Sequence, residues 1–116
     1  MIENRKFIRL KVMIPVEYRI LKKHKRQKTF SSFMKNISVG GLSIIAKEPL
    51  RERDLVQLEI HAPHLEDSVR VLGDVTWFSR SGDKNNPLHE AGIRFQEVDP
   101  GELNKILDYV YSVAIG

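Results

Sequence analysis

Along residues 10–20 apolar side chains occupy every second position: Leu10, Val12, Ile14, Val16, Tyr18 and Ile20. Between them stand Lys11, Met13, Pro15, Glu17 and Arg19. A period of two belongs to an extended chain with one dry face and one wet face, so this run predicts a half-buried β-strand and excludes a helix. Pro15 has no N–H to give to a ladder and predicts a sheet edge or a bulge. The same alternation returns downstream. Residues 29–37 read as a second strand with a less regular pattern. Leu42, Ile44 and Ala46 mark a third, ended by Pro49, and Val56, Leu58 and Ile60 a fourth. Val69, Val71, Val75 and Trp77 mark a long fifth strand, with Gly73 at the middle predicting a bend or bulge. "SRSGDKNNP", residues 79–87, reads as a loop, and Ala91, Ile93 and Phe95 give a sixth strand. By this count Trp77 and Phe95 point inward. Six short strands joined by turns predict a sandwich or a closed barrel.

The period changes at the end of the chain. Asp99 is a good N-cap, Pro100 suits the first helical position and Glu102 completes a capping-box pattern. Leu103, Ile106, Leu107 and Val110 then follow helical spacing. The expected architecture is therefore all-β, a six-stranded antiparallel barrel over residues 10–97, with a C-terminal α-helix over 99–114.

A chain of 116 residues is the size of one domain and can bury roughly 65% of its unfolded surface, enough for one core without covalent staples. It contains no cysteine, which removes disulfides, thiolate metal sites and thiol nucleophiles. The first residues lack an apolar signal core, and no run approaches the ~20 apolar residues of a membrane span. The expectation is a cytoplasmic protein. Its charge is uneven. Residues 1–28 carry ten Lys and Arg against two Glu, a net of +8, whereas residues 29–116 carry nine against thirteen acids, a net of −4. A basic end attracts an anion, be it a nucleotide, nucleic acid, a lipid surface or an acidic protein.

Catalytic signals are poor. His61 and His64 form an HxxH, but Pro63 interrupts it and no carboxylate joins at ligand spacing, so it reads as a surface loop. His24 and His89 also read as surface residues. No Gly-rich loop opens a helix, and no residue is marked as a nucleophile. The chain is not expected to be an enzyme or to hold a metal or cofactor. The loop Lys22–Lys28 is basic enough to grip phosphates, but barrels that bind single strands display stacking aromatics, so no specific nucleic acid is expected. As a charged hairpin loop it would also keep the sheet soluble.

Two short segments remain. Arg5 and Arg9 are four apart, a span of about 13 Å in extended chain, with one in the tail and one at the strand entry. Two guanidinium forks so spaced can hold one ligand from two sides, each taking a phosphate or the O6/N7 edge of guanine, or lying flat on a purine. Asn36 and Ser38, two apart on one predicted strand face, offer an amide and a hydroxyl. Gly40 and Gly41 allow a sharp turn and a close approach. Either segment alone is weak, because RxxxR is common and "NISVGG" could be a plain hairpin turn.

In this order and ahead of a barrel pattern, the two segments resemble the PilZ domain family, which is marked by RxxxR followed by [D/N]xSxxG. "IPVEY" (Ile14–Tyr18), "GDVTW" (Gly73–Trp77) and "EAGIRF" (Glu90–Phe95) are similar as well. The resemblance runs from Arg5 to the closing helix. It implies a single domain that binds cyclic di-GMP, with residues 1–9 as a flexible clamping segment. It assigns the ligand to Arg5, Arg9, Asn36, Ser38 and Gly41, with Gly40 beside them. Asn4, preceding the first arginine, bears on ligand number and points to one ligand. Arg94 lies between inward residues, points outward and is a further candidate for a phosphate. An effector protein or a second copy of the chain would carry the output. The alternative from another class is an adaptor that keeps the barrel, binds nucleotide weakly or not at all, and uses Lys22–Lys28 as its contact surface.

Overall fold

The computed structural model describes residues 10–22, 27–46, 50–63, 65–82 and 87–115. Six strands, β1 (Leu10–Leu21), β2 (Phe30–Ile37), β3 (Gly41–Ala46), β4 (Leu55–Ile60), β5 (Val69–Gly82) and β6 (Pro87–Val98), precede one helix, α1 (Pro100–Ile115). The strands are antiparallel throughout and close a barrel in the order β1-β2-β3-β6-β5-β4. Closure follows from β1, which pairs with β2 along one edge and with β4 along the other.

The alternating residues fill the interior. Ile14, Val16 and Tyr18 of β1 meet Met34, Ile44, Leu58, Val71 and Ile93 in one continuous core. Tyr18 stacks on Phe30 with ring centroids 5.2 Å apart. The helix packs against β1, and its Leu103, Ile106 and Val110 are buried, as their spacing predicts. Its start is capped by Asp99, whose carboxylate accepts the Glu102 N–H at 3.0 Å. Pro15 lies where the β1–β4 ladder ends. Its carbonyl accepts the His61 N–H at 3.0 Å, and its missing N–H falls on that same edge, so the ring breaks pairing where pairing already stops.

Three expectations are corrected. Residues 79–82 and 87 are not loop: β5 and β6 continue through Ser79↔Glu90 and Arg80↔His89 to Gly82↔Pro87. This outer part of the hairpin extends past the neighbours, since β4 pairs with β5 only through Asp74 and β3 pairs with β6 only from His89. Trp77 does not point inward. The ladder shifts between Val75 and Trp77, so the extra residue, Thr76, reverses the parity of the positions after it. Phe78 packs against the core in its place, while Phe95 keeps the expected inward position. His89 is not a surface residue: it is buried in the inward register of β6, stacked on Phe78 at 5.2 Å. The bulge that Gly73 predicts is present, between Leu72 and Gly73.

Candidate functional site

The β2–β3 hairpin carries the polar segment. Ser38 N–H donates to the Gly41 carbonyl at 2.8 Å and the Ser38 hydroxyl donates to the same oxygen at 3.3 Å, closing a tight turn through Val39 and Gly40. Ser38 is buried. It stands beyond the end of β2 and not on a shared strand face with Asn36, because β2 ends at Ile37 and Ser38 already belongs to the turn. Gly40 offers its carbonyl to the Phe95 N–H at 2.9 Å. Gly41 is held against β6: a Cβ there would run into the Ile93 carbonyl and lie 3.3 Å from the Arg94 Cα. Its lack of a side chain serves this strand contact.

The register then lines up residues across four strands. Asn36 of β2 is opposite Ser43 of β3, Ser43 is opposite Gly92 of β6, and Gly92 is opposite Trp77 of β5. All four stand on the outer face, since their neighbours Ile37, Leu42, Ile44, Ala91, Ile93 and Val75 are core. Gly92 has no side chain, and the Trp77 indole occupies the space a Cβ would need. Thr76 donates to the Gly92 carbonyl at 3.3 Å and fixes the bulge. Ser43 is 0% exposed despite its outer position, and its hydroxyl has no partner in the structure.

A second row runs beside the first. Gly41 pairs with Arg94, and Arg94 with Asp74. Arg94 donates through Nε and Nη2 to the two Asp74 oxygens at 3.2 and 3.0 Å, and Gln96 donates to Oδ1 at 3.0 Å. The Asp74 side chain is 10% exposed and that of Arg94 64%, so a largely covered carboxylate steers an open guanidinium. On the other flank of the first row, Lys35 and Glu90 form an ion pair at 3.4 Å.

The Gln96 amide, with the hydrogen bonds and charge of Arg94, holds the Asp74 carboxyl below its ordinary range, against the opposing effect of burial. A carboxylate whose folded pKa is depressed contributes stability above its unfolded pKa, near 3.9, and loses it as pH falls through the folded value. Asp74→Asn is therefore expected to destabilise the protein by about 1.5–3 kcal/mol at pH 7, the range for a hydrogen bond to a charged group. The gap to wild type should narrow below about pH 4. Urea unfolding at pH 7 and pH 3 measures both values, and a pH-independent gap would refute the linkage.

Arg5, Arg9 and Asn4 lie outside the described residues. The strand that comes after them does not: Leu10, next after Arg9, pairs with Ile37, and Lys11 pairs with Asn36. The chain thus enters β1 beside the residue that precedes Ser38. Asn36, Gly41 and Arg94 fall in the two neighbouring rows, with Ser38 and Gly40 in the adjoining turn. Ser43 is a part of this face that no segment marks, and Asp74, Trp77 and Gly92 lie in "GDVTW" and "EAGIRF" without being assigned to the site. The "GDVTW" segment held the available signal for Trp77, but its orientation depends on the bulge.

A family model for the PilZ domain matches residues 3–112. Among solved structures, the Bacillus subtilis inhibitor of motility (MotI/DgrA) superposes with a TM-score of 0.72 at 16% identity, over 98% of this chain and 53% of that one. The PilZ domain of Escherichia coli YcgR, solved with c-di-GMP, gives 0.68 at 16% identity over 95% of this chain and 91% of that one. The K. pneumonia MrkH–c-di-GMP complex gives 0.68 at 14% identity over 99% of this chain and 54% of that one. The chain thus spans about half the length of MotI and MrkH. A search of curated protein sequences returns no match. Among the described residues no helix is long and apolar enough to cross a membrane. With the family model covering nearly the whole chain, and the same barrel and closing helix recurring in these structures, the chain belongs to the PilZ domain family.

Proposed function

We propose that the protein is a receptor for cyclic di-GMP that binds its ligand without transforming it. Residues 1–116 would act as one ligand-binding domain, with residues 1–9 as the clamping segment. The single observation that carries this reading is the β1–β2 register. Leu10 opposite Ile37 brings the chain just past Arg9 to the residue preceding Ser38. The strand that follows the RxxxR segment therefore starts beside the "NISVGG" hairpin, which supports a ligand shared by the two motifs. Arg5 and Arg9 would grip guanine edges and phosphates through bidentate contacts. Asn36, Ser38 and Gly41 would line the opposite side, with Asn4 and Gly40 bordering it. The exposed guanidinium of Arg94, aimed by Asp74, is available for a phosphate. The Trp77 indole offers an aromatic face on which a purine can stack.

YcgR and MrkH have both been solved with c-di-GMP, which supports the choice of ligand. A role upstream of a separate effector protein belongs to the same reading: ordering of residues 1–9 over the nucleotide would change the surface a partner meets. In the alternative adaptor reading the nucleotide is dispensable, and the loop Lys22–Lys28 would be the contact surface.

Isothermal titration of the full chain with cyclic di-GMP decides between them. The expected dissociation constant is low-micromolar or tighter, about −8 kcal/mol or more. GTP and cyclic di-AMP should bind far more weakly, because adenine presents an amino group where an arginine fork needs the O6 acceptor. A flat titration with folded protein would remove the receptor reading and leave the adaptor.

A further inference from the structure

The β1–β4 seam lies across the barrel from the β3–β6 pairing that carries the candidate nucleotide face. On its outer surface Glu17 of β1 stands directly opposite Glu59 of β4. His61, two residues beyond Glu59, falls on the same face, and its backbone is tied to β1 by the hydrogen bond to the Pro15 carbonyl. The His61 Nε2 is 3.0 Å from Glu17 Oε1, and one ligand atom from each of the three residues lies within 4.8 Å of the others. The HxxH motif held one of the three members, His61, in plain view. The carboxylates come from register across the seam and not from spacing along the chain.

We infer that Glu17, Glu59 and His61 form a site for a divalent transition-metal cation of the zinc type. Bonds of about 2.0–2.2 Å to nitrogen and oxygen put neighbouring ligand atoms of a tetrahedral zinc about 3.3–3.5 Å apart. The His61–Glu17 pair is already near that separation, and a side-chain rotation of Glu59 closes the remainder. One imidazole and two carboxylates are a borderline donor set that suits zinc and its neighbours better than magnesium, which prefers all-oxygen octahedra. Two like charges directly opposite on a strand pair repel, and a cation between them converts that repulsion into a cross-strand tie.

The groups now neutralising the pair are easily displaced. Arg70 sits 3.5 Å from Glu59, but its side chain is 76% exposed, and such a surface ion pair is weak. Arg19 gives its Nε–H to the Thr29 hydroxyl at 2.8 Å. A recess of about 20 Å³ lined by Glu17, Arg19, Thr29, Gln57 and Glu59 adjoins the carboxylates. It has room for one water beside the two carboxylates, on the side away from His61.

The test titrates the full chain, stripped of metal with a chelator, with zinc chloride by calorimetry and follows thermal unfolding in parallel. One saturable site is expected, with a dissociation constant on the order of 1–100 µM and an upward shift in Tm that millimolar magnesium does not reproduce. His61→Ala and the double change Glu17→Gln with Glu59→Gln should each weaken binding at least about tenfold. All three are surface residues, and circular dichroism verifies that the variants fold. His64→Ala should leave affinity unchanged. Absence of saturation up to about 1 mM zinc overturns the site. So does unchanged affinity in His61→Ala, or dependence on His64 without dependence on the two glutamates.

Discussion

Gly41→Ala is expected to remove about 3 kcal/mol or more of stability, the upper end of what overpacking a filled site costs. The added methyl would meet the Ile93 carbonyl, and the group that must yield is backbone, not the tip of a flexible side chain. Movement on either side is opposed, because the Gly40 carbonyl holds the Phe95 N–H and the Gly41 carbonyl holds the Ser38 N–H. For a domain of this size the loss corresponds to a fall in Tm of roughly 10–20 °C. Thermal and urea unfolding check it. A Tm within about 2 °C of wild type would mean that β3 can part from β6 without cost. The result also governs how binding data are read. Loss of nucleotide binding in a Gly41 variant would report the collapse of the β3–β6 seam before it reported a missing ligand contact.

Arg9→Ala is expected to weaken cyclic di-GMP binding by about 2–4 kcal/mol, or roughly 30- to 1,000-fold, with Arg5→Ala in the same range. Calorimetric titration measures it. Thermal stability without ligand should hold, because Arg5 and Arg9 precede the alternating run that builds the core. Lysine at either position should rescue poorly, since an ammonium neither forks nor stacks. If Arg9→Ala instead unfolds the barrel, then Arg9 supports the strand entry and the ligand assignment fails. Paired with Gly41→Ala, the experiment separates two kinds of motif residue: one whose loss is felt by the ligand, and one whose loss is felt by the sheet.

The sequence made the barrel legible because most of its strands obey a two-residue period, and the helix because Asp99, Pro100 and Glu102 announce its start. Where parity breaks, reading fails. Counting by twos from Val75 puts Trp77 inside, and nothing in "DVTW" announces that Thr76 is an extra residue. His89 is a different kind of failure. The alternation back from Ala91 puts it inside, but the loop composition of "SRSGDKNNP" masks the strand that carries the alternation. Of the candidate site, Asn36, Ser38 and Gly41 could be picked out from the sequence. That Ser43, Gly92 and Trp77 continue the Asn36 row could not, because the row exists only once four strands are in register. The same holds for Glu17, Glu59 and His61, which are neighbours only through the β1–β4 pairing that closes the barrel.

The unequal strand lengths have a mechanical consequence. Among the described residues, β5 from Trp77 outward pairs with β6 alone, and Pro87 and Leu88 of β6 have only β5 beside them. A two-stranded ribbon is marginal by itself, so its hydrogen bonds can open from the tip without parting any other seam. Opening that stops at Trp77 leaves the barrel closed, whereas opening that passes Val75 parts β5 from β6 within the barrel wall, where β5 is also held by Arg53, Asp54 and β4 and β6 by β3. Val75 therefore marks the boundary between the outer ribbon and the part of β5 that belongs to the barrel wall. Extra sequence inserted between Gly82 and Pro87 would load only the ribbon, which makes that junction the natural point at which to graft a reporter.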